Sequence, residues 1–158
     1  MKQIFSFILP VTVLVFVPLY IERKISGIHV STLLIGIILI FTGLLVMAVT
    51  IASFIRIGKG TLAPWNPTQN LVTSGMYRFV RNPMIIGVIT VLIGESICII
   101  SLKILLWALV FFIINNIFFV TYEEPNLEKK FGDQYRLYKR NVPRWIPRLK
   151  PFKPEREL

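Results

Sequence analysis

Four stretches of this sequence, residues 4–21, 30–55, 84–102 and 104–122, are nearly free of charge. Each approaches the ~20 apolar residues that cross a hydrocarbon layer as a helix. Their apolar side chains run all round a helix and leave none of the polar stripe that a soluble amphipathic helix turns to water. The pattern predicts an all-α integral membrane protein with four transmembrane helices in a single domain. A soluble enzyme is excluded on the same ground, since 54% of the 158 residues are hydrophobic and only 16% charged. The first run ends in Tyr20-Ile21-Glu22-Arg23 without a small-residue cleavage site, so it reads as a mature helix that Pro10 and Pro18 bend or end.

The distribution of Lys and Arg orients such a chain. With four crossings, Lys2, Arg56, Lys59, Arg78, Arg81 and the whole basic tail fall on one side, against Arg23, Lys24 and Lys103 on the other. Both termini are then cytoplasmic, which suits a plasma or bacterial inner membrane. The net charge of +10 is a topology signal and an attraction to anionic head groups, not the footprint of a nucleic-acid binder. Cys98, the single cysteine, lies inside an apolar run, so no intrachain disulfide forms and no metal site is built on it.

The third and fourth runs meet at Lys103 with almost no loop, as an antiparallel hairpin that returns the chain to the side it left. The connection 58–83 and the tail 123–158 therefore face each other. In the tail, Leu127, Phe131, Tyr135, Tyr138 and Val142 recur at helical spacing, with Lys and Arg elsewhere, which predicts an amphipathic helix in the head-group layer or capping a site. Prolines at 143, 147, 151 and 154 then predict an extended strap against the membrane surface.

Polar groups within the apolar runs are candidates for function. Glu95, about 18 Å along its helix from Pro83, needs a partner or a proton in hydrocarbon, and Asn115 and Asn116 are the nearest candidates. It reads equally as an interhelical clamp or as the lining for a substrate head group. Glu123 and Glu124 close the fourth run, where two carboxylates oppose the helix dipole and call for a cation: Arg78 or Arg81, or a bound ligand. Glu124-Pro125 is expected to end the regular helix.

Two blocks, "LVTSGMYRFVRNPM" and "EEPNLEKKFGDQYRLYKRNVPRWIP", separated by the hairpin, resemble the isoprenylcysteine carboxyl methyltransferase and phospholipid methyltransferase superfamily of membrane enzymes. The resemblance covers roughly Leu71 to Pro147. It implies an enzyme that uses S-adenosylmethionine in a cytoplasm-facing pocket and takes a lipophilic acceptor from the bilayer. Carried over position by position, its cofactor contacts fall on Gln69, Asn70, Leu71, Val72 and Tyr77, on the Arg-His-Pro-type segment at Arg81, Asn82, Pro83, Met84 and Ile85, and on Glu123 and Glu124. Methyl transfer from a sulfonium asks chiefly for alignment and exclusion of water, so few catalytic side chains are required.

Departures from the pattern bear on the acceptor. Phe119 stands where isoprenylcysteine enzymes place an Arg that is thought to hold the acceptor carboxylate, so a lipid amine or another small head group is expected instead. Asn82 stands for their His, and Ile85 for a frequent Tyr. Glu95 and Asn116 become the expected contacts of such a head group, and Arg144 a candidate for an anionic group. Two other classes remain open: a non-enzymatic membrane protein on the same scaffold, and an NADPH-dependent reductase of the sterol type, for which 158 residues leave little room.

Overall fold

The computed structural model describes residues 10–22, 30–58 and 69–153, and among them the chain is helical with no strand. Lys2 and the start of the first apolar run, the loop carrying Arg23 and Lys24, the connection 59–68 with Lys59, and Pro154 lie outside the described residues.

Five helices follow in order: α1 (Thr12–Ile21), α2 (Val30–Gly58), α3 (Pro83–Cys98), α4 (Leu102–Phe118) and α5 (Glu124–Asn141). Among the described residues two helices are long and apolar enough to cross a membrane: α2, and the continuous Leu102–Asn141 formed by α4 and α5 together. The other two apolar helices, α1 and α3, are shorter.

Helix α3 packs most extensively on α2 rather than on its hairpin neighbour α4. The reason is two glycine pairs with the same seven-residue spacing on both helices. A Cβ at Gly43 would lie 2.7 Å from the Gly87 carbonyl oxygen, and one at Gly94 would lie 2.7 Å from that of Gly36. Small residues let backbones approach closely where apolar surface alone gives no preference between lipid and protein. Leu92, Val91, Val88, Met47, Ala108 and Phe111 fill the core beside this contact.

Helix α1 is tied to α4 at both of its ends. Residues Thr12–Phe16 form a π-helical turn, in which the Val13 carbonyl would look to the nitrogen of Pro18, which has no hydrogen. The Trp107 indole N–H donates to that carbonyl at 3.2 Å instead. At the other end the Glu22 carboxylate accepts from the Ser101 hydroxyl and pairs with Lys103 at 3.6 Å.

Two expectations are corrected. The third run does not stay helical to residue 102: α3 stops at Cys98, Ile100 takes a left-handed φ of 50°, and Ser101 caps α4 by accepting from the Ile104 amide. The helix does not end at Glu124-Pro125 either. A π-helical turn, Phe119–Glu123, carries α4 into α5, where Pro125 occupies a first-turn position that needs no N–H donor. The strap is non-helical, as the prolines lead one to expect, and is tied to the segment before α3: the Arg81 amide donates to the Pro143 carbonyl at 2.9 Å, the Arg148 amide to Phe79 at 3.0 Å and the Phe152 amide to Arg78 at 2.9 Å.

The tail stripe forms as expected. Tyr135, Tyr138 and Val142 bury against Phe152, with Leu71, Leu127 and Phe131 packed around them. Gly132, with φ 55° and ψ −129°, kinks α5 and turns its second half over the segment before α3.

Candidate functional site

A charged cluster forms where the start of α3, the end of α4 and the tail converge. Its centre is Glu124, only 5% exposed. The Arg81 guanidinium reaches Oε1 at 2.7 Å, the Arg144 Nε reaches the same oxygen at 2.7 Å, and Lys139 lies 3.4 Å from Oε2. Burial works to raise the Glu124 pKa, but the Arg144 hydrogen bond and the charges of Arg81, Arg144 and Lys139 outweigh it and hold the carboxyl below its ordinary range. Glu124 is therefore an ionised strut between helix, loop and strap.

Its neighbour Glu123 has the opposite environment. It is half-buried, and among the described residues it has neither an ion-pair partner nor a hydrogen bond to its carboxylate. Burial, then the charge of Glu124, raise its pKa to about 7. Tyr77 and Tyr135 stand close enough for the Glu123 charge to act on their hydroxyls, whose pKa values burial already raises, that of Tyr135 to about 12. Glu123 ends a π-helical turn, Phe119–Glu123, and Glu124 begins α5; consecutive helical side chains point about 100° apart, so the two carboxylates reach different surroundings.

The segment before α3 supplies the facing wall. Gly75, at φ 59°, opens a 3₁₀ turn, Gly75–Arg78, that places Tyr77 with its ring buried and its carbonyl accepting from the Tyr138 hydroxyl at 2.7 Å. Arg81 follows, and its Nε is buried without an acceptor, an unused donor beside the Glu124 pair. Asn82 caps α3 without a side-chain bond, and Pro83 is buried at the first helical position. Met84 and Ile85 pack in the apolar core, and Val72 is buried beside the partly buried Leu71. Gln69 and Asn70 are exposed and tied to the end of α2, through the Gly58 carbonyl at 2.7 Å from the Gln69 amide and the Ile57 carbonyl at 2.9 Å from the Asn70 side chain.

Asn116 and Arg144 meet here, and Glu95 does not join them. The Asn116 Oδ1 accepts from the Trp145 indole at 2.9 Å and from Arg144 at 3.4 Å. Trp145 also packs at a tilt against Phe112 and edge-to-face against Phe119, with ring centroids 5.0 and 5.9 Å away. Glu95 lies in the last turn of α3, at the end remote from Pro83, and its Oε2 is buried without a partner. Neither Asn115 nor Asn116 clamps it: Asn115 donates to the Phe111 carbonyl of its own helix at 2.8 Å.

Lys139 and Trp145 belong to this cluster without having been singled out in the sequence, and Tyr135 and Tyr138 were marked there only as part of the tail stripe. The stripe predicted burial for both tyrosines. Nothing in the tail's many Lys and Arg marks Lys139 apart from the others, because its role follows from the kink at Gly132.

An apolar helical body with a buried charged cluster at one end, holding one satisfied and one open carboxylate, is the candidate site. The sequence profile of the phospholipid methyltransferase family matches residues 31–134, and the chain belongs to that family. An uncharacterised protein of Haemophilus influenzae is 46% identical over 41 residues, 26% of this chain and 65% of the relative, so the chain spans about two-thirds of that protein's length. No solved structure matches.

Proposed function

We propose that the protein transfers a methyl group from S-adenosylmethionine to a lipid head group at the cytoplasmic face of a membrane, through a chain that crosses four times with both termini inside. Family membership supports methyl transfer, and the open carboxylate of Glu123 carries the assignment of the site. A half-buried carboxylate without a cation is costly unless a ligand supplies one.

The residues present fit the cofactor. Glu123 faces an ammonium or ribose hydroxyls; the unused Arg81 Nε is a donor for a carboxylate; the buried Tyr77 ring offers a face for the adenine or for the sulfonium. When bound, S-adenosylmethionine supplies an electrophilic methyl group. The chain's own part is to hold that methyl in line with the acceptor and to keep water out, which the strap does by closing over Glu124 and Asn116.

Asn116 and Arg144 are the acceptor-side residues of this reading. Phe119, buried where a carboxylate-binding Arg would stand, favours an amine or another small head group over a carboxylate. Glu95 lies too far along α3 to share that role.

Calorimetric titration of the purified protein in detergent with S-adenosylmethionine and its demethylated product tests the site. Micromolar binding is expected, weakened at least about tenfold by Glu123→Ala, the change expected when a charged hydrogen bond to a ligand is removed. Equal binding by the variant moves the cofactor elsewhere. No binding by a folded wild type contradicts the reading.

A further inference from the structure

Between Gln134 and Lys153 the chain carries Arg136, Lys139, Arg140, Arg144, Arg148, Lys150 and Lys153 and not one Asp or Glu. Three of these cations are committed: Arg136 to Glu128 and Asp133, Lys139 to Glu124 and Glu128, and Arg144 to Glu124. Arg140, Arg148, Lys150 and Lys153 face no carboxylate among the described residues; the Arg148 guanidinium donates to the Asn141 carbonyl.

The same strap exposes apolar side chains that a water-facing segment would not favour. Ile146 is 79% exposed and Leu149 99%. They do not hang from a loose end, because main-chain bonds from Arg148 to Phe79 and from Phe152 to Arg78 pin the segment on either side of Leu149. Trp145, next to Ile146, packs on Phe112 and Phe119 of the long apolar helix, whose neighbouring Ile113, Ile117 and Val120 are exposed. Ile146 thus sits at the level where that apolar surface gives way to the charged cluster.

We infer that residues 140–153 form a docking surface for an anionic phospholipid leaflet, with Ile146 and Leu149 inserted at the acyl boundary and Arg140, Arg148, Lys150 and Lys153 set among the phosphates. The inference rests on the membrane placement of the proposed function, not on its chemistry. Charge selects the partner: uncompensated cations beside exposed aliphatic side chains gain from an anionic interface on both counts, and from a neutral one on only the apolar count. Through Arg144 and Trp145 this surface is continuous with the site, so it fixes the height of the site relative to the head groups.

A fluorescence measurement on the full chain in lipid nanodiscs tests this without turnover. Leu149→Cys is labelled with an environment-sensitive fluorophore; the wild type serves as the labelling blank, since Cys98 is buried. Discs of neutral phosphatidylcholine are compared with discs containing about 30% phosphatidylglycerol, with a nitroxide on the acyl chain as quencher. The inference predicts blue-shifted, quenchable emission, about threefold stronger in anionic discs, with the difference abolished by Arg140→Gln, Lys150→Gln and Lys153→Gln together. Water-like emission in both discs overturns it, as does insertion indifferent to lipid charge. The same label at Ile38→Cys, on the exposed face of α2, separates the two failures: if Ile38→Cys is quenched and Leu149→Cys is not, the docking surface alone falls. If neither is quenched, the membrane placement falls with it.

Discussion

Glu123 and Glu124 are adjacent in sequence and opposite in chemistry. Replacing Glu124 with Gln leaves Arg81 and Arg144 without their shared counter-charge at a buried position. It should lower the stability of the detergent-solubilised protein by about 3 kcal/mol in thermal unfolding. Because the folded Glu124 pKa is lowered, its contribution is present above the ordinary carboxylate range and lost as pH falls through the folded value. For Glu123 the sign reverses. With a folded pKa of about 7 against the ordinary carboxylate value of 4.5, the unliganded protein loses stability as pH rises between the two. A cationic ligand needs the ionised form, so affinity for S-adenosylmethionine should fall by up to about tenfold per unit as pH drops below 7, with nearly one proton released on binding at pH 6. Calorimetry in buffers of different ionisation enthalpy reads both. Flat affinity between pH 6 and 8 would remove Glu123 from the cation site. The acidic pair and its need for a cation were legible in the sequence. Which carboxylate keeps the need was not, because that depends on where the tertiary fold sets Arg81, Lys139 and Arg144.

Among the helices, the α2–α3 contact carries the sharpest consequence. Gly87→Val adds atoms where even a Cβ would lie 2.9 Å from the Gly43 carbonyl oxygen and 2.7 Å from Met47. The backbones must separate, and a loss of roughly 2 to 3 kcal/mol is expected in thermal unfolding, with Gly132→Ala, where nothing lies within 4 Å but φ is 55°, costing about 1 kcal/mol through the backbone alone. Ile100→Gly should stabilise, by up to about 1 kcal/mol, since a β-branched residue is held at a φ of 50°. The apolar runs and the tail stripe were readable from periodicity. The seven-residue glycine spacing was also present in the sequence, but spacing on one helix does not name the partner, and the hairpin order pointed to α4. The left-handed turn at Ile100 was hidden because an Ile there breaks the usual preference for Gly or Asn.

The molecule as a whole places its charged cluster at one end of a helical body that is otherwise apolar, with the strap tying the loop before α3 to the tail. Sequence order brought those two blocks to the same side, and the structure joins them through main-chain bonds that no side chain announces. This is why Tyr77, Arg81, Asn116, Glu123 and Arg144 converge while Glu95, equally conspicuous in the sequence, is left at the far end. The central claim is methyl transfer to a membrane lipid through the Glu123 site. Its most direct test is incubation of membranes containing the protein with S-adenosylmethionine labelled in the methyl group, followed by counting of the lipid extract. Label in the lipid fraction with wild type, reduced at least about tenfold with Glu123→Ala, is the predicted result. No label above membranes lacking the protein, from protein that is folded and supplied with amine-bearing lipids, would contradict the account.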